Sequence, residues 1–319
     1  MTTDIRIGNS FELIKNIADK SVDCVVTSPP YWGLRDYGTD PIIFDGAVEC
    51  NHIWEEDIVK KQSDGTNNKI GNNCDDRIHY ESKTNFCSLC GAWKGSLGLE
   101  PTPELFLSHL WQLFDDVKLK LKDEGNCFVN LGDTYWGGGN ASGHTEDTKQ
   151  FGTSNTLGKS YVTKPVAIGK HPVLRAKSLV MIPERFAWGM IEHGWILRNE
   201  IIWYKRNHMP ESVTDRWTKA HEVIYFFTKQ QKNYFNLDAI RRPHKTTCKR
   251  TTRKMTSIMK FGATSTFNGG SDYNHLGANP GTVWDVTTQP YSEAHFATFP
   301  IDLVRQPILA GCPVGGTVL

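Results

Sequence analysis

The sequence lacks several features that would identify a secreted, membrane, highly charged or repeat protein directly. No apolar segment of the secretory type follows Met1, and no run approaches the ~18 apolar residues of a membrane span. The formal net charge is only +1 over 319 residues, so any contact with nucleic acid must come from a local patch. Internal repeats and coiled-coil heptads are absent too. We therefore predict a soluble, cytoplasmic protein with no membrane partner.

Cysteine is also too sparse for a disulfide scaffold, with eight residues in the whole chain. Two pairs nevertheless have the spacing of metal ligands, Cys50-x-His52 and Cys87-x-x-Cys90. Three thiolates and an imidazole form the closed tetrahedral set typical of structural Zn²⁺, and the polar insertion between the pairs has little apolar content to order it otherwise. Cys74 or His79 would substitute for one ligand, and unpaired cysteines or a redox pair are the alternatives. We predict a structural zinc site.

The rest of the chain alternates strand and helix patterns, which predicts an α/β fold. The continuous apolar run at 22–27 is typical of a strand buried on both faces in a parallel sheet. Thr102 is predicted to cap a helix that begins at Pro103 and ends at Gly125, and Ser10 to cap a shorter one. Further predicted strands lie within 126–139, 195–206 and 221–230, and a further helix within 182–194.

The most unusual local feature is the turn Ser28-Pro29-Pro30-Tyr31, at the end of the first predicted strand. Ligand sites of open α/β sheets lie at the carboxyl ends of strands. The exocyclic amine of cytosine or adenine is a poor nucleophile, because its lone pair is delocalised into the ring. The Ser28 side chain and the Pro29 carbonyl would accept both N–H bonds, while Tyr31 stacks on a base that has left the duplex. A purely structural Pro-Pro turn explains the tetrapeptide alone equally well.

A second local feature is a basic stretch in a nearly neutral chain. No acidic residue occurs from Ala239 to Ser271, and eight Lys or Arg residues fall between Arg241 and Lys260. A solvated loop is the simpler explanation of most charge runs, but the lack of acid over this length favours contact with DNA phosphates. The predicted DNA contacts, which include the aromatic residue directly after the turn, are Trp32, Arg241, Arg242, Lys245, Lys249, Arg250, Arg253 and Lys254.

The segment from Ile7 to Gly38 resembles the opening of the β-group DNA amino-methyltransferases, which methylate cytosine N4 or adenine N6. Further matches follow in family order, at LKDEGNCFVNLGDTY (121–135), at 194–229 and at AHFATFP (294–300). The resemblance implies a Rossmann-like methyltransferase sheet, S-adenosylmethionine as cofactor and site-specific methylation of double-stranded DNA. Serine at the first position of the turn favours cytosine N4, and adenine N6 remains the alternative.

The resemblance also implies roles for individual residues. The catalytic set is Ser28, Pro29, Pro30 and Tyr31. The cofactor-binding set is Phe299 and Pro300, with Asn9 and Ser10 as weaker contributors. The family's glycine-rich cofactor loop is expected after the strand that GGTVL opens, whereas Leu319 is the last residue. We therefore expect a chain that is truncated before that loop and binds the cofactor weakly.

The resemblance and the local patterns together divide the chain into three predicted regions. They are a methyltransferase domain (1–48, 96–239 and 281–319), a zinc-binding insertion (49–95) and a basic target-recognition region (240–280). The expected location is the cytoplasm of a bacterial or phage-infected cell. A homodimer and a cognate restriction endonuclease are partners that the sequence leaves open.

Other functions also stay open at this point. They are methylation of RNA or of a protein glutamine, a non-catalytic DNA-binding zinc protein, and a zinc redox module. Methylation of the cytosine ring carbon is rejected, because it needs an activated thiolate. Cys24 lies within a predicted strand, and Cys312 precedes a proline where the enzymes of that chemistry have Pro-Cys.

Overall fold

The computed structural model describes residues 3–54, 85–137, 171–244, 274–289 and 298–319, and the backbone alone of 256–258 and 264–266. Backbone contacts divide the chain into two compact units. Unit 1 consists of Met1–Ser28, Asp116–Asn130 and Gly194–Leu319, and unit 2 of Pro29–Asp115 and Leu131–His193. The division falls between Ser28 and Pro29, so the Ser-Pro-Pro-Tyr turn belongs to both units.

The described residues contain four α-helices, Ser10–Leu13 (α1), Pro103–Lys120 (α2), Ile182–Glu192 (α3) and Ile301–Gly311 (α4). Helix α2 begins as predicted, because Thr102 Oγ1 accepts a hydrogen bond from the amide of Leu105 at 3.2 Å. The predicted cap of α1 is wrong: Asn9, and not Ser10, accepts from the amide of Phe11 at 3.0 Å. In the part of the chain described, no helix has both the length and the hydropathy needed to span a membrane.

The strands form one main sheet and two small pairs. In chain order they are Val22–Thr27 (β1), Ile42–Phe44 (β2), Trp93–Gly95 (β3), Leu121–Leu131 (β4), Ile196–Tyr204 (β5), His221–Thr228 (β6), Thr256–Ile258 (β7), Thr264–Thr266 (β8) and Val283–Asp285 (β9). The main sheet has the order β1-β4-β6-β5-β9. Strand β1 is parallel to β4, β5 is parallel to β9, and β5 is antiparallel to β6. Strands β2 and β3, and likewise β7 and β8, pair antiparallel.

The junction of α2 and β4 differs from the prediction. Helix α2 ends at Lys120, and β4 begins at the next residue instead of after Gly125. Leu121 is fully buried and pairs with Val22. A Cβ on Gly125 would lie 2.6 Å from the Leu121 Cγ, so this glycine is required for packing and is not a helix stop.

The last residues of the chain lie beside β1. Val318 forms a parallel bridge with Cys24. The amide of Leu319 donates to the Cys24 carbonyl at 2.9 Å, and the amide of Val26 donates to the Leu319 carbonyl at 3.0 Å. The segment GGTVL, predicted to open a strand, thus forms an isolated bridge beside β1, and β1 has hydrogen-bonded neighbours on both sides, as its apolar sequence requires.

Each unit has its own apolar core. In unit 1, Phe128 and Phe226 stack with centroids 4.6 Å apart and planes 7° apart. The other residues of that core are Cys24, Ile201, Trp203, Ile224, Trp284 and Leu303. In unit 2, Phe114 of α2 meets Phe186 of α3 edge to face at 5.2 Å. These cores fix the elements on which the site residues lie.

Candidate active site and metal cluster

The Ser28–Tyr31 turn starts directly where β1 ends at Thr27. Pro29 is buried, whereas Ser28, Pro30 and Tyr31 are half-buried. Because β1 is bonded on both sides and proline restricts φ, the backbone of the turn has little freedom. The turn is therefore rigid and still accessible to a ligand.

Two glycines of unit 2 pack against the turn. A Cβ on Gly132 would lie 2.4 Å from Cε2 of Tyr31 and 2.6 Å from its Cδ2, so the ring touches the backbone of residue 132. Gly98, at φ +93°, lies against Pro30 and the Tyr31 carbonyl, where a Cβ would come within 3.1 and 3.2 Å. Its carbonyl accepts from the amide of Gly33 at 2.8 Å. Sequence reasoning missed both glycines, because a glycine after a strand is typical of any turn.

Trp32, predicted to contact DNA, is only 5% exposed. Its Nε1 donates to the Glu100 carbonyl at 2.9 Å, and its ring stacks on Trp136 with centroids 6.1 Å apart. Trp32 thus supports the turn from within unit 2. Its contact with DNA stays a prediction.

A buried polar group lies behind the turn. The side chains of Glu100 and His109 are fully buried, and His109 Nδ1 lies 2.9 Å from Glu100 Oε1. The other ring nitrogen, Nε2, lies 3.1 Å from Asp45 Oδ2. The amide of Gly98 donates to Glu100 Oε2 at 2.7 Å, and the His109 ring stacks on Phe44 at 4.1 Å. No sequence signal marks this group, because its members do not have the spacing of a motif.

A cleft of about 240 Å³ in unit 1 contains the predicted cofactor residue Phe299 in its wall. The other lining residues are Val26, Thr27, Asn130, Ile224, Leu303, Val304 and Pro307. Pro300 is buried and caps α4. Asn9 and Ser10 are not among the residues that line the cleft. The structure thus brings Phe299 to the two residues that precede Ser28 in the chain, and it does not bring Asn9 or Ser10 there.

Of the predicted basic DNA contacts, Arg241 and Arg242 are described, and Lys245, Lys249, Arg250, Arg253 and Lys254 lie outside the described residues. The Arg241 guanidinium bonds to Asp238 at 2.5 Å and donates to the Gly277 carbonyl at 3.1 Å. Arg242 is exposed and pairs through its backbone with Ala278. Arg241 therefore joins two segments of unit 1.

The described thiols of unit 1, those of Cys24, Cys127 and Cys312, do not form a nucleophilic site. Burial, with smaller contributions from Cys312 and Asp23, raises the pKa of Cys24 to about 12. Burial also raises the pKa of Cys127 well above its ordinary value, and that of Cys312. Thiols with such pKa values are protonated near neutral pH. This agrees with the rejection of carbon methylation.

The four predicted metal ligands converge in unit 2. The ligand atoms of Cys50, His52, Cys87 and Cys90 all lie within 4.8 Å of one another. The Sγ atoms of Cys50 and Cys87 are 3.9 Å apart, and Cys90 Sγ is 3.4 Å from His52 Nδ1. Cys74 and His79, the alternative ligands, lie outside the described residues.

Hydrogen bonding makes the three thiols of this cluster unlike one another. Burial raises the pKa of Cys87, but hydrogen bonds from His52 and from backbone amides outweigh it and lower the pKa to about 6. The pKa of Cys90 is lowered mainly by the amide of Ala92. Burial and hydrogen bonds with the other two thiols raise the pKa of Cys50 to about 12. Thiolate forms most readily at Cys87 and Cys90.

Asp133, just after β4, caps α3. Its Oδ1 accepts from the amides of Thr134 and Ile182 at 2.9 and 3.0 Å, and its Oδ2 accepts from the amide of Met181 at 3.0 Å. A carboxylate at this position satisfies free amides and complements the helix dipole. These bonds also hold Met181 at φ +62°, a backbone conformation that is unfavourable for a side chain of this size.

Comparison with known proteins agrees with these features. A family profile for N6 and N4 methyltransferases, described as DNA methylase, matches residues 22–319. The type II methyltransferase M.Cfr9I of Citrobacter freundii is 31% identical over 312 residues, which cover 98% of this chain and 73% of that protein. The type II methyltransferase M.SmaI of Serratia marcescens is 30% identical over 315 residues, which cover 99% and 77%.

The solved structure of the PvuII DNA methyltransferase, a cytosine-N4-specific enzyme, aligns with a TM-score of 0.51 at 13% identity. The alignment covers 98% of this chain and 71% of that one. At this identity the likeness concerns the fold, and it confirms the predicted Rossmann-like methyltransferase sheet. Because the family profile spans nearly the whole sequence, the chain belongs to the DNA methylase family of S-adenosylmethionine-dependent N6 and N4 amino-methyltransferases.

Proposed function

We propose that the chain transfers a methyl group from S-adenosylmethionine to N4 of a cytosine flipped out of double-stranded DNA, at a specific site. The observation that carries this proposal is the rigid, half-open turn directly after β1, with the Tyr31 ring packed on Gly132. Serine at position 28 favours cytosine, because the adenine enzymes of the resembling family more often have aspartate there. Adenine N6 is the alternative target.

The residues of the turn act by positioning. Ser28 Oγ and the Pro29 carbonyl accept the two N–H bonds of the amine, which favours a more tetrahedral nitrogen whose lone pair points at the methyl carbon. Transfer to this nitrogen would form an N–C bond as the carbon–sulfur bond of the cofactor broke, and an N–H proton would leave the nitrogen afterwards. Tyr31 stacks on the flipped base. No general base is required, since the proton is acidic once the nitrogen is methylated.

We place the cofactor in the cleft of unit 1. Its wall combines the Phe299 ring and Leu303 with the polar side chains of Thr27 and Asn130, which suits a ligand that has a planar heterocycle and a polar tail. When bound, S-adenosylmethionine supplies a methyl group on a positively charged sulfur. Phe299 would contact it directly, and Pro300 would fix the position of Phe299 at the start of α4.

We propose the same organisation that the resemblance implies, with a methyltransferase domain, a metal-binding insertion at 49–95 and a basic target-recognition region at 240–280. The basic region and Trp32 would contact the DNA. The names of the type II relatives support a cognate restriction endonuclease as partner. A homodimer is the other partner that we propose, and light scattering would measure the oligomeric state. A DNA substrate supports a cytoplasmic location in a bacterial or phage-infected cell.

A methyl-transfer assay tests the proposal. The chain is incubated with duplex DNA of mixed sequence and labelled S-adenosylmethionine, and the DNA is digested to nucleosides. We expect N4-methylcytosine. N6-methyladenine would support the alternative, and label in RNA or in protein but not in DNA would refute both.

Two tyrosine variants test the stacking role. Tyr31→Ala should lower transfer by roughly 5- to 150-fold, because stacking on a base is worth about 1–3 kcal/mol. Its affinity for non-specific DNA should hardly change. Tyr37→Ala, at an exposed tyrosine in the same segment, is the matched control and should keep full activity. Equal losses of transfer and DNA affinity in Tyr31→Ala would contradict stacking on the base.

A further inference from the structure

We propose that Cys50, His52, Cys87 and Cys90 bind one structural Zn²⁺ through three thiolates and His52 Nδ1. In a tetrahedron with Zn–S near 2.3 Å and Zn–N near 2.0 Å, the ligand atoms lie about 3.5–3.8 Å apart. The structure has 3.9 Å between the Sγ atoms of Cys50 and Cys87 and 3.4 Å between Cys90 Sγ and His52 Nδ1. These two distances are close to tetrahedral spacing, and all four donor atoms lie within 4.8 Å of one another.

A disulfide does not explain the cluster. A bonded pair of sulfur atoms is separated by about 2.05 Å, far less than the 3.9 Å between Cys50 and Cys87. All three cysteines of the cluster are free thiols. A redox pair would also leave unexplained why an imidazole nitrogen lies against Cys90.

Backbone hydrogen bonds hold the two ligand pairs together. The Cys87 amide donates to the Ala92 carbonyl at 2.7 Å, and the Gly91 amide donates to the Cys87 carbonyl at 2.9 Å, which closes a tight turn around the C-x-x-C pair. Gly91 has φ +73°, which glycine adopts without strain. Cys87 bridges Trp54, whose ring stacks on His52 at 5.0 Å. The four protein ligands leave no open position, so the role is structural and not catalytic.

Elemental analysis of the full chain, purified without a chelator or a metal-binding tag, tests the site. We expect about one zinc atom per chain, with X-ray absorption showing three sulfur atoms and one nitrogen. Cys90→Ser should lose the zinc, and Cys312→Ser, at a thiol of unit 1, should keep it. A folded, metal-free wild-type chain, or iron in place of zinc, would overturn the proposal. Because metal content is read without any methyl transfer, this result is independent of the proposed function.

From a separate observation we infer that Glu100 and His109 are positioning residues for the Ser28–Tyr31 turn, an inference that rests on the proposed function. Glu100 contacts the region of the turn at two points: its Oε2 accepts from Gly98, which packs on Pro30 and Tyr31, and its carbonyl accepts from Trp32. His109, on α2, holds the Glu100 carboxylate in place, with its Nδ1 at 2.9 Å from Glu100 Oε1. Without it, a buried carboxylate oxygen would lose a partner.

Two measurements test this inference. In His109→Ala, kcat should fall by about 10²-fold, the typical cost of a misplacement near 1 Å, with unchanged KM for DNA. Glu100→Gln keeps an acceptor for the Gly98 amide and should retain more activity than Glu100→Ala. His193→Ala removes a half-exposed histidine–carboxylate pair with Asp115 and should leave kcat unchanged.

Hydrogen exchange gives a readout that does not depend on catalysis. Amides of residues 31–34 should exchange faster in His109→Ala, while those of α3 stay protected. Unchanged exchange in a folded variant would overturn the inference, whatever the activity. Absence of transfer by the wild type together with faster exchange in the variant would count against the proposed function alone.

Discussion

Gly132→Ala offers a sharp test of how the Tyr31 ring is placed. The added methyl carbon would lie 2.4 and 2.6 Å from two carbons of that ring, whereas carbon atoms in contact are about 3.5–4.0 Å apart. The backbone at residue 132 follows β4, whose last seven residues are all buried, so the ring is the part that must move. It must retreat by roughly 1 Å.

A displacement of that size affects catalysis more than stability. Overpacking of this kind costs about 1–3 kcal/mol of stability. Misplacement of a positioning group by about 1 Å can lower the rate by 10²-fold. We therefore expect a folded variant whose single-turnover methyl transfer is slower by about 10²-fold, with affinity for non-specific DNA unchanged.

Gly281→Ala is the matched control, because no atom lies within 4 Å of a Cβ there and its φ is not positive. The assay is single-turnover transfer to a short duplex, with thermal unfolding of both variants in parallel. If Gly132→Ala transferred methyl groups as fast as Gly281→Ala, the contact between Tyr31 and residue 132 would have no part in catalysis, and the reasoning would be wrong.

Three further predictions concern other sites. Asp133→Ala should destabilise the chain by about 1–2 kcal/mol in urea unfolding, and Asp133→Asn by less, because the Asp133 carboxylate caps α3. Equal stability of the wild type and the two variants would contradict this capping role. With a pKa of about 12, Cys24 should be thiolate in only about one molecule in 10³ at pH 9, so mass spectrometry should find no alkylation of it in the native chain. Burial raises the pKa of Glu104, but hydrogen bonds from Arg185 and His171 outweigh it and lower the pKa below its ordinary 4.5. Glu104→Gln should therefore cost less than about 1 kcal/mol at pH 7, since Glu104 is half exposed, and the difference should vanish as the pH falls through the folded pKa.

Local patterns predicted much of the fold. The apolar run at 22–27 gave β1, and Thr102 with Pro103 gave the start of α2, because both signals depend on neighbouring residues alone. The ligand pairs Cys50-x-His52 and Cys87-x-x-Cys90 were also found from spacing.

Contacts that depend on how the elements pack were not predictable. Gly125 has the position of a helix stop, and only the packing of Leu121 shows that it lies in a strand. Gly132 contacts Tyr31 across a hundred residues, and Glu100 reaches His109 only once α2 has formed. Such contacts depend on the tertiary structure, which overrides local preference.

The direct junction between α2 and β4 limits how this chain can change length. Val117 on the helix and Leu121 at the start of the strand are both buried, and no linker residue separates the two elements. One inserted or deleted residue would turn the preceding helix by about 100° about its axis, or exchange the two faces of the strand that follows. We therefore expect related sequences to vary in length at their surface loops and to keep a constant count of residues between position 117 and position 121.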